Sequence, residues 1–436
     1  MARILVIGGG VSGRAATALA EVLHHDVRMV SDGDPEAASD AVFERVAQVV
    51  TSPGVTERSE LLQEAKRRSL PVESELQFGA RHFGGRILAV TGTNGKTTTV
   101  ELTAHLLQYF HAPARYAGNI GVPLSALAAG DIQRRTADDP ERIAVTEVSS
   151  FQLEYTPELR AEAAVLLNLE SDHLNRYPGG MKEYREVKER IFQGVAPEKR
   201  FYGVSMPEAA RNRTHFSIRG DELCCGGKSV LNLTECALNA PHNRENLLAA
   251  LELAVCGLRR VPDLEELAAA IRAFHPGAHR LQEVAVVHGV RCVNDSKATN
   301  PAAVMAALRA LEPEPAGKIL LLAGGLDKDM DFSLLLQGAS RLKMAALYGA
   351  CKERIRAVLQ DAVPLEVCAD LAGAFQAARR RAEPGDIVLL SPAAASMDMF
   401  RDYRERGEAF AALARAWARE SSAPRSCQMD SLPASR

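Results

Sequence analysis

TGTNGKTTT, Thr91–Thr99, follows the apolar run RILAV (Arg86–Val90) and leads into a helical pattern. A strand that ends in glycines and a Gly-Lys-Thr triplet has the form of a phosphate-binding loop. Glycines let backbone N–H groups face phosphate oxygens, a lysine reaches the terminal phosphates, and a hydroxyl can ligate Mg2+. The strict pattern G-x-x-x-x-G-K-[ST] would place glycine at position 90, where this chain has Val90. Gly92 comes two residues late, so the loop is a variant with the same physics. Its candidate contacts are Gly92, Thr93, Asn94, Gly95, Lys96, Thr97 and Thr98. The plain alternative is a glycine-rich turn before a helix with an exposed lysine.

A second glycine loop, GGGVSG (Gly8–Gly13), opens the chain between a strand and a helix. Gly8, Gly10 and Gly13 match G-x-G-x-x-G, and Asp32 follows at about the distance of a ribose-binding acid. Length argues against a dinucleotide, which needs two mononucleotide halves, because a new strand with its own loop begins at Arg86. The half-fold still offers N–H groups and a helix N-terminus to one diphosphate. A nucleotide-linked ligand, NAD and a purely structural turn all remain open on these residues alone.

The 436 residues are 47% hydrophobic and 25% charged with a net charge of −3, the make-up of an ordinary soluble chain of two to four domains. No basic excess points to nucleic acid and no acidic tract to a solvating tail. The eight cysteines show no C-x-x-C pair, which favours reduced thiols in the cytoplasm. MARILVIGGG reads as a first strand rather than a signal peptide, and no window approaches a membrane span. A cytoplasmic protein without nucleic-acid or membrane partners is expected.

Strand-like runs alternate with helical patterns in three regions, the signature of parallel α/β units. The third begins near Pro276 with a hairpin, EVAVVHGVRCVND, and the last ~16 residues read as a disordered tail. Polar residues cluster where strands give way to loops, where open α/β sheets place ligands. Glu147 closes the strand RIAVTE, and Asp172 and His173 follow AVLLNL. A carboxylate so placed after a phosphate loop can hold Mg2+, although strand-end acids are often only solvated. Lys188 falls on the stripe of Tyr184, Val187 and Ile191. Such a lysine either snorkels to water or is desolvated, with a depressed pKa and a reactive neutral amine.

GTNGKTTT, GNIG (Gly118–Gly121), TEVSSFQLE, LNLESDHLNRY, HNRENLLAA, His279-Arg280, NDSKATNP, LAGGLDKDMDF and LLSPAAASMDMF occur in that order. Together they resemble the ATP-dependent Mur ligases, over essentially everything but the C-terminal tail. NDSKATNP with SPAAASMDMF is similar to the D-glutamate-adding member. The resemblance implies an α/β fold of three domains. These are a Rossmann-like UDP-binding domain (1–75), a central P-loop ATPase-type domain with a mostly parallel sheet (76–276), and a C-terminal Rossmann-like domain for the amino acid (277–436, with 421–436 as the tail). It implies an amide ligase that adds D-glutamate to UDP-N-acetylmuramoyl-L-alanine through an acyl phosphate in peptidoglycan precursor synthesis, acting as a monomer. A related ligase with another acceptor, of a different Mur step or the folate-polyglutamate type, and a non-catalytic nucleotide switch are the competing readings.

By the same resemblance Val11, Ser12 and Asp32 contact the UDP moiety and Asn119 the diphosphate. Thr97 and Glu147 hold one Mg2+, while His173 and a carbamylated Lys188 hold a second. Lys96, Glu147, His173 and Lys188 form the catalytic group, with His173 also a candidate proton acceptor. Asn243, Asn246, Arg280, Asp295 and Lys297 lie on the ATP side, and Thr299, Lys328, Ser396 and Tyr403 in the D-glutamate pocket. The position of Tyr403 is often Phe in the family.

Overall fold

The computed structural model describes residues 3–35, 37, 39–134, 139–172, 176–211, 214–311, 317–328 and 330–422. The expected tail falls almost wholly outside them. Met1–Gly277 and Ala278–Arg436 are two compact units.

The first unit opens with β1 (Arg3–Ile7), α1 (Val11–Val22), β2 (Asp26–Val30), β3 (Val46–Thr51), α2 (Glu60–Arg67), β4 (Val72–Ser74) and α3 (Glu75–His82). The four strands form a parallel sheet in the order β2-β1-β3-β4. Then come β5 (Arg86–Thr91), α4 (Lys96–Tyr109), β6 (Ala114–Gly118), α5 (Leu124–Gln133), β7 (Ile143–Glu147), α6 (Ser150–Glu154), β8 (Ala163–Leu166), α7 (Gly180–Glu189) and β9 (Arg200–Tyr202). These strands form a second parallel sheet, β6-β7-β5-β8-β9. Its middle strand β5 is the one that carries the phosphate loop. Leu88, Ala89 and Val90 of β5 are wholly buried, as a strand covered on both faces must be.

A small antiparallel sheet follows, of β10 (Phe216–Arg219), β11 (Glu222–Cys225) and β12 (Lys228–Asn232). Its turns use Gly220, Gly226 and Gly227 at positive φ. The unit ends with α8 (Pro241–Leu258) and α9 (Leu264–Ala273).

The first sheet shares a core with α5 of the central region. Ile4, Val6 and Val50 of the first sheet and Ala16, Leu19 and Ala20 of α1 cluster with Phe78 of α3 and with Ala128 and Ala129 of α5. A four-stranded half-fold leaves one helical face uncovered, and α5 covers it. That packing is why residues 1–75 and the central region make a single compact unit.

The second unit contains β13 (Gln282–Val287), β14 (Val290–Asn294), α10 (Pro301–Leu311), β15 (Ile319–Gly324), β16 (Leu342–Tyr348), α11 (Lys352–Leu359), β17 (Leu365–Val367), α12 (Leu371–Arg381), β18 (Ile387–Leu390) and α13 (Tyr403–Ser422). The sheet order is β13-β14-β18-β15-β16-β17, parallel except for the expected β13–β14 hairpin. His288 and Gly289 turn the hairpin, both at positive φ, as a two-residue turn that matches strand twist requires. No helix among the described residues is long and apolar enough to cross a membrane.

Gly13 sets how closely α1 approaches β1, since a Cβ there would lie 1.8 Å from the Gly8 carbonyl oxygen. Gly13→Ala is therefore expected to destabilise the fold by about 1–3 kcal/mol through overpacking. A lower urea midpoint at unchanged m-value would register it.

Candidate active site

The phosphate loop is shaped by two glycines. Gly92 (φ 151) and Gly95 (φ 82, the N-cap of α4) hold conformations that L side chains rarely adopt. A Cβ on Gly95 would also sit 2.1 Å from Asn246 Oδ1. The segment after β8 braces the loop from beneath: Thr93 N donates to Asn168 O (3.0 Å) and Asn94 N to Asn168 Oδ1 (2.8 Å). The first turn of α4 therefore stands at a fixed attitude, its N–H groups and positive dipole end directed outward from the strand.

Glu147 ends β7 beside this turn and is only 2% exposed. Its Oε2 accepts from Thr97 Oγ1 at 2.7 Å and its Oε1 from Asn119 Nδ2 at 2.9 Å. A Ser149–Gln152 capping box starts α6 immediately afterwards and fixes the end of the strand. A buried carboxylate against a threonine hydroxyl is a set of hard oxygen donors, the chemistry that suits Mg2+. The residues present thus fit the expected first metal.

Lys96 Nζ folds back on its own loop, donating to the carbonyls of Gly92 (2.9 Å) and Thr93 (2.7 Å). Lys188 Nζ also donates to Gly92 O, at 2.9 Å, and lies 4.8 Å from the centre of the Tyr184 ring. Lys188 is 1% exposed, so its side chain does not snorkel. Burial, and next the charge of Lys96, hold its pKa well below 10.5, against the opposing pull of Asp172 and Glu147. The stripe read from sequence is real: Tyr184, Val187 and Ile191 are all buried. Asp172 is buried as well, while His173 lies outside the described residues.

Asn246 of α8 reaches the same turn. Its Oδ1 accepts from Thr99 Oγ1 at 3.4 Å, and its Nδ2 donates to Asn243 Oδ1 at 3.5 Å. Thr98 is buried in the first turn of α4.

In the first sheet, Gly9 N donates to Ser31 Oγ at 3.0 Å, and Ser52 Oγ to Gly8 O at 3.1 Å. Val11 is 64% exposed at the start of α1, with Ser12 half-buried beside it. Asp32 Oδ1 accepts from Ser59 Oγ at 2.7 Å and so is tied to the N-cap of α2.

In the second unit, the expected residues gather at the carboxyl ends of β14, β15 and β18. Lys297 Nζ lies 5.0 Å from the centre of the Tyr403 ring. Thr299 and Lys328 are half-buried, Ser396 is buried, and Arg280 is half-buried. Asp295 accepts from Ser391 Oγ (3.0 Å) and Leu281 N (3.3 Å). Burial pushes its carboxyl up from 3.8 to about 7, against those bonds and Arg280.

Sequence reasoning missed several residues that hold these ends together. Asn168 braces the phosphate loop, and Arg176 pairs with Glu154 (2.5 Å). Arg406, wholly buried, donates to Ser296 Oγ (3.0 Å), Ser296 O (2.8 Å) and Ala394 O (3.0 Å). The short lengths of NLESDHLNRY and DYRERG carry no periodicity that would single them out. Cavity volume does not mark the site either. A cavity of about 430 Å³ lies at the amino ends of β6 and β7, lined by Arg115, Asp131 and Arg142.

A parallel α/β unit that presents a glycine-shaped helix N-terminus, a lysine and buried hard oxygens has the features of a nucleotide-phosphate site. Two family models match the chain: the Mur ligase middle domain over residues 90–219, and the Mur ligase glutamate ligase domain over residues 279–394. The UDP-N-acetylmuramoylalanine–D-glutamate ligase of Frankia casuarinae is 38% identical over 460 residues, covering 95% of this chain and 94% of its own. That of Rubrobacter xylanophilus is 36% identical over 455 residues, covering 95% and 98%. The chain belongs to the Mur ligase family. Its fold is similar to that of the UDP-N-acetylmuramate–alanine ligase of Thermotoga maritima, with a TM-score of 0.61 at 15% identity, over 95% of this chain and all of that one.

The raised pKa of Asp295 makes a stability prediction. Its folded value near 7 exceeds the ordinary 3.8, so its contribution is full below pH ~4 and is lost as pH rises through about 7. Asp295→Asn should remove that dependence. The variant's advantage over wild type in urea midpoint should grow between pH 4 and 7 and level off above.

Proposed function

We propose that this chain is an ATP-dependent amide ligase that adds D-glutamate to UDP-N-acetylmuramoyl-L-alanine in peptidoglycan precursor synthesis, acting as a cytoplasmic monomer. The observation that carries the reading is the extent of the match: relatives of that name are 36–38% identical across about 95% of the chain. The reading divides the labour among residues 1–75 for the UDP end, 76–276 for ATP and phosphoryl transfer, and 277–436 for the amino acid. The outer two regions act as Rossmann-like domains and the central one as a P-loop ATPase-type domain.

The carboxylate of the substrate attacks the γ-phosphate of ATP, releasing ADP and leaving an acyl phosphate. The amine of D-glutamate then attacks the acyl carbon, phosphate leaves, and the nitrogen loses a proton, for which His173 is the candidate acceptor. Phosphoryl transfer of this kind needs mainly positioning and charge neutralisation. The bent loop and the N-terminus of α4 receive the phosphates, and Lys96 exchanges its loop carbonyls for their terminal oxygens. Asn243 and Asn246 fix the nucleotide side of that turn, and Arg280, Asp295 and Lys297 are also assigned to ATP. Val11, Ser12 and Asp32 hold the UDP end and Asn119 the diphosphate. Thr299, Lys328, Ser396 and Tyr403 receive D-glutamate, whose two carboxylates suit charge-assisted bonds.

Thr97 and Glu147 would hold one Mg2+, and His173 with a carbamylated Lys188 a second. Such ions, when bound, neutralise charge on the reacting oxygens. The neutral amine of Lys188 adds to CO2 and releases one proton, turning a desolvated base into an anionic oxygen donor. Its burial against Gly92 O supports this assignment, since an ammonium there would face Lys96.

Phosphate release from ATP should require both UDP-N-acetylmuramoyl-L-alanine and D-glutamate. Equal release with L-glutamate, L-alanine or diaminopimelate would favour another ligase, and binding of ATP without turnover would favour a switch. Glu147→Gln should lower kcat by at least ~100-fold. Lys188→Ala should lose activity that bicarbonate does not restore, and should lack the carbamate carbon signal that wild type gives with 13C-bicarbonate. Near-normal turnover in Lys188→Ala would sink the carbamate.

A further inference from the structure

The loop from Ser52 to Ser59, which follows β3, is held from two sides. On one side it packs on residues assigned to the UDP end. Ser52 Oγ donates to Gly8 O at 3.1 Å, and Ser59 Oγ donates to Asp32 at 2.7 Å. A Cβ on Gly8 would touch Ser52 and Val55 at 3.1 Å.

On the other side the loop meets the central sheet. Arg176 donates through Nη2 to Val55 O at 3.1 Å. The same guanidinium grips Glu154 in a fork, Nε to Oε1 at 2.8 Å and Nη2 to Oε2 at 2.5 Å. It also stacks over Phe151, 4.2 Å from the ring centre, and Tyr177 OH donates to Glu154 Oε1 at 2.9 Å. The two charged side chains are only 11% and 12% exposed, unlike a solvated surface pair. A second contact runs parallel to the first: Tyr155 OH donates to Glu57, which also pairs with Lys66 at 2.6 Å.

The position of this cluster gives it a consequence. Glu154 ends α6, seven residues after Glu147, and Arg176 comes three residues after His173. One guanidinium thus joins the helix that follows Glu147 to the loop beneath the UDP end. A forked arginine–carboxylate pair fixes orientation as well as distance, and a lysine cannot reproduce it.

On the substrate reading given above, we propose that Arg176 is a positioning residue. It latches the loop Ser52–Ser59 to the phosphoryl-transfer site, so that binding energy from the UDP end orients the reacting carboxylate. Remote binding energy assists a reaction only when the frame between the two ends is stiff. The latch supplies that stiffness where the backbone of the first sheet's loop, at Val55 O, is held by the Arg176 side chain.

The test is steady-state kinetics of the full chain carrying Arg176→Lys or Arg176→Met, alongside calorimetry with UDP and with ADP. The KM for UDP-N-acetylmuramoyl-L-alanine should rise about tenfold or more in both variants, with the KM for ATP and D-glutamate within about twofold. UDP affinity should fall in parallel while ADP affinity holds. Arg176→Lys keeps a cation beside Glu154 and should unfold at the wild-type temperature, so a purely structural role predicts rescue by lysine. A UDP-substrate kcat/KM and a UDP affinity near wild type in a folded Arg176→Lys would overturn the latch. So would a UDP affinity that stays at the wild-type value in both variants. Wild type that binds UDP but shows no D-glutamate-dependent turnover would refute the proposed reaction alone, and calorimetry of the variants would still decide the latch. Wild type that fails to bind UDP would refute the latch together with the site it rests on.

Discussion

The carbonyl of Gly92 accepts from two lysine side chains at once, Lys96 and Lys188, each at 2.9 Å. Two ammonium groups converging on one oxygen repel each other, and the repulsion is least screened where water is excluded. Of the two, Lys188 is the buried one, and burial and then the charge of Lys96 hold its pKa well below the ordinary lysine value. The arrangement depends on Gly92 itself, whose φ of 151 turns the carbonyl toward both amines. It depends equally on Tyr184 and Val187, which bury the helical face that carries Lys188.

The two lysines therefore have different freedom. Lys96 is held by two carbonyls of a loop that opens outward from the sheet, bonds it can exchange for stronger charge-assisted ones to an anion. Lys188 is enclosed, and its burial disfavours the charged ammonium. A preorganised site of this kind does little rearranging when its ligand arrives, which is the condition under which electrostatic stabilisation is most effective. The brace from Asn168 serves the same end, because it fixes the backbone of Thr93 and Asn94 without any ligand present.

What could be read from the sequence follows from the range of each interaction. The loop at Thr91–Thr99, the acid at Glu147 and the hairpin at His288–Gly289 are local: glycines, strand ends and turns announce themselves within a few residues. Lys188 was half legible. Its helical stripe predicted contact with the core, but only its burial in the fold decides between a snorkelling and a desolvated side chain. Asn168, Arg176 and Arg406 were not legible, because their roles lie in bonds to partners distant in sequence. Arg406 meets Ser296 across more than a hundred residues. The meander β10–β12 had turn glycines at Gly220, Gly226 and Gly227 but strands too short to show a period.

The packing of residues 1–75 was the least visible feature, and it bears on how the reaction is organised. The apolar cluster that unites the first sheet with α5 is built from alanines and branched residues that any α/β protein would contain. Its effect is to place the residues assigned to the UDP end and those assigned to phosphoryl transfer in one compact unit, while the residues assigned to D-glutamate belong to another. The chemistry gives a reason for that division. UDP and the reacting carboxylate are ends of one molecule at a distance set by covalent bonds, so their sites gain from a shared core that holds the same span. D-glutamate arrives separately, and its pocket is under no such constraint. The latch at Arg176 belongs to the first arrangement: a rigid core sets the span, and the fork between Arg176 and Glu154 keeps the loop at its end in register.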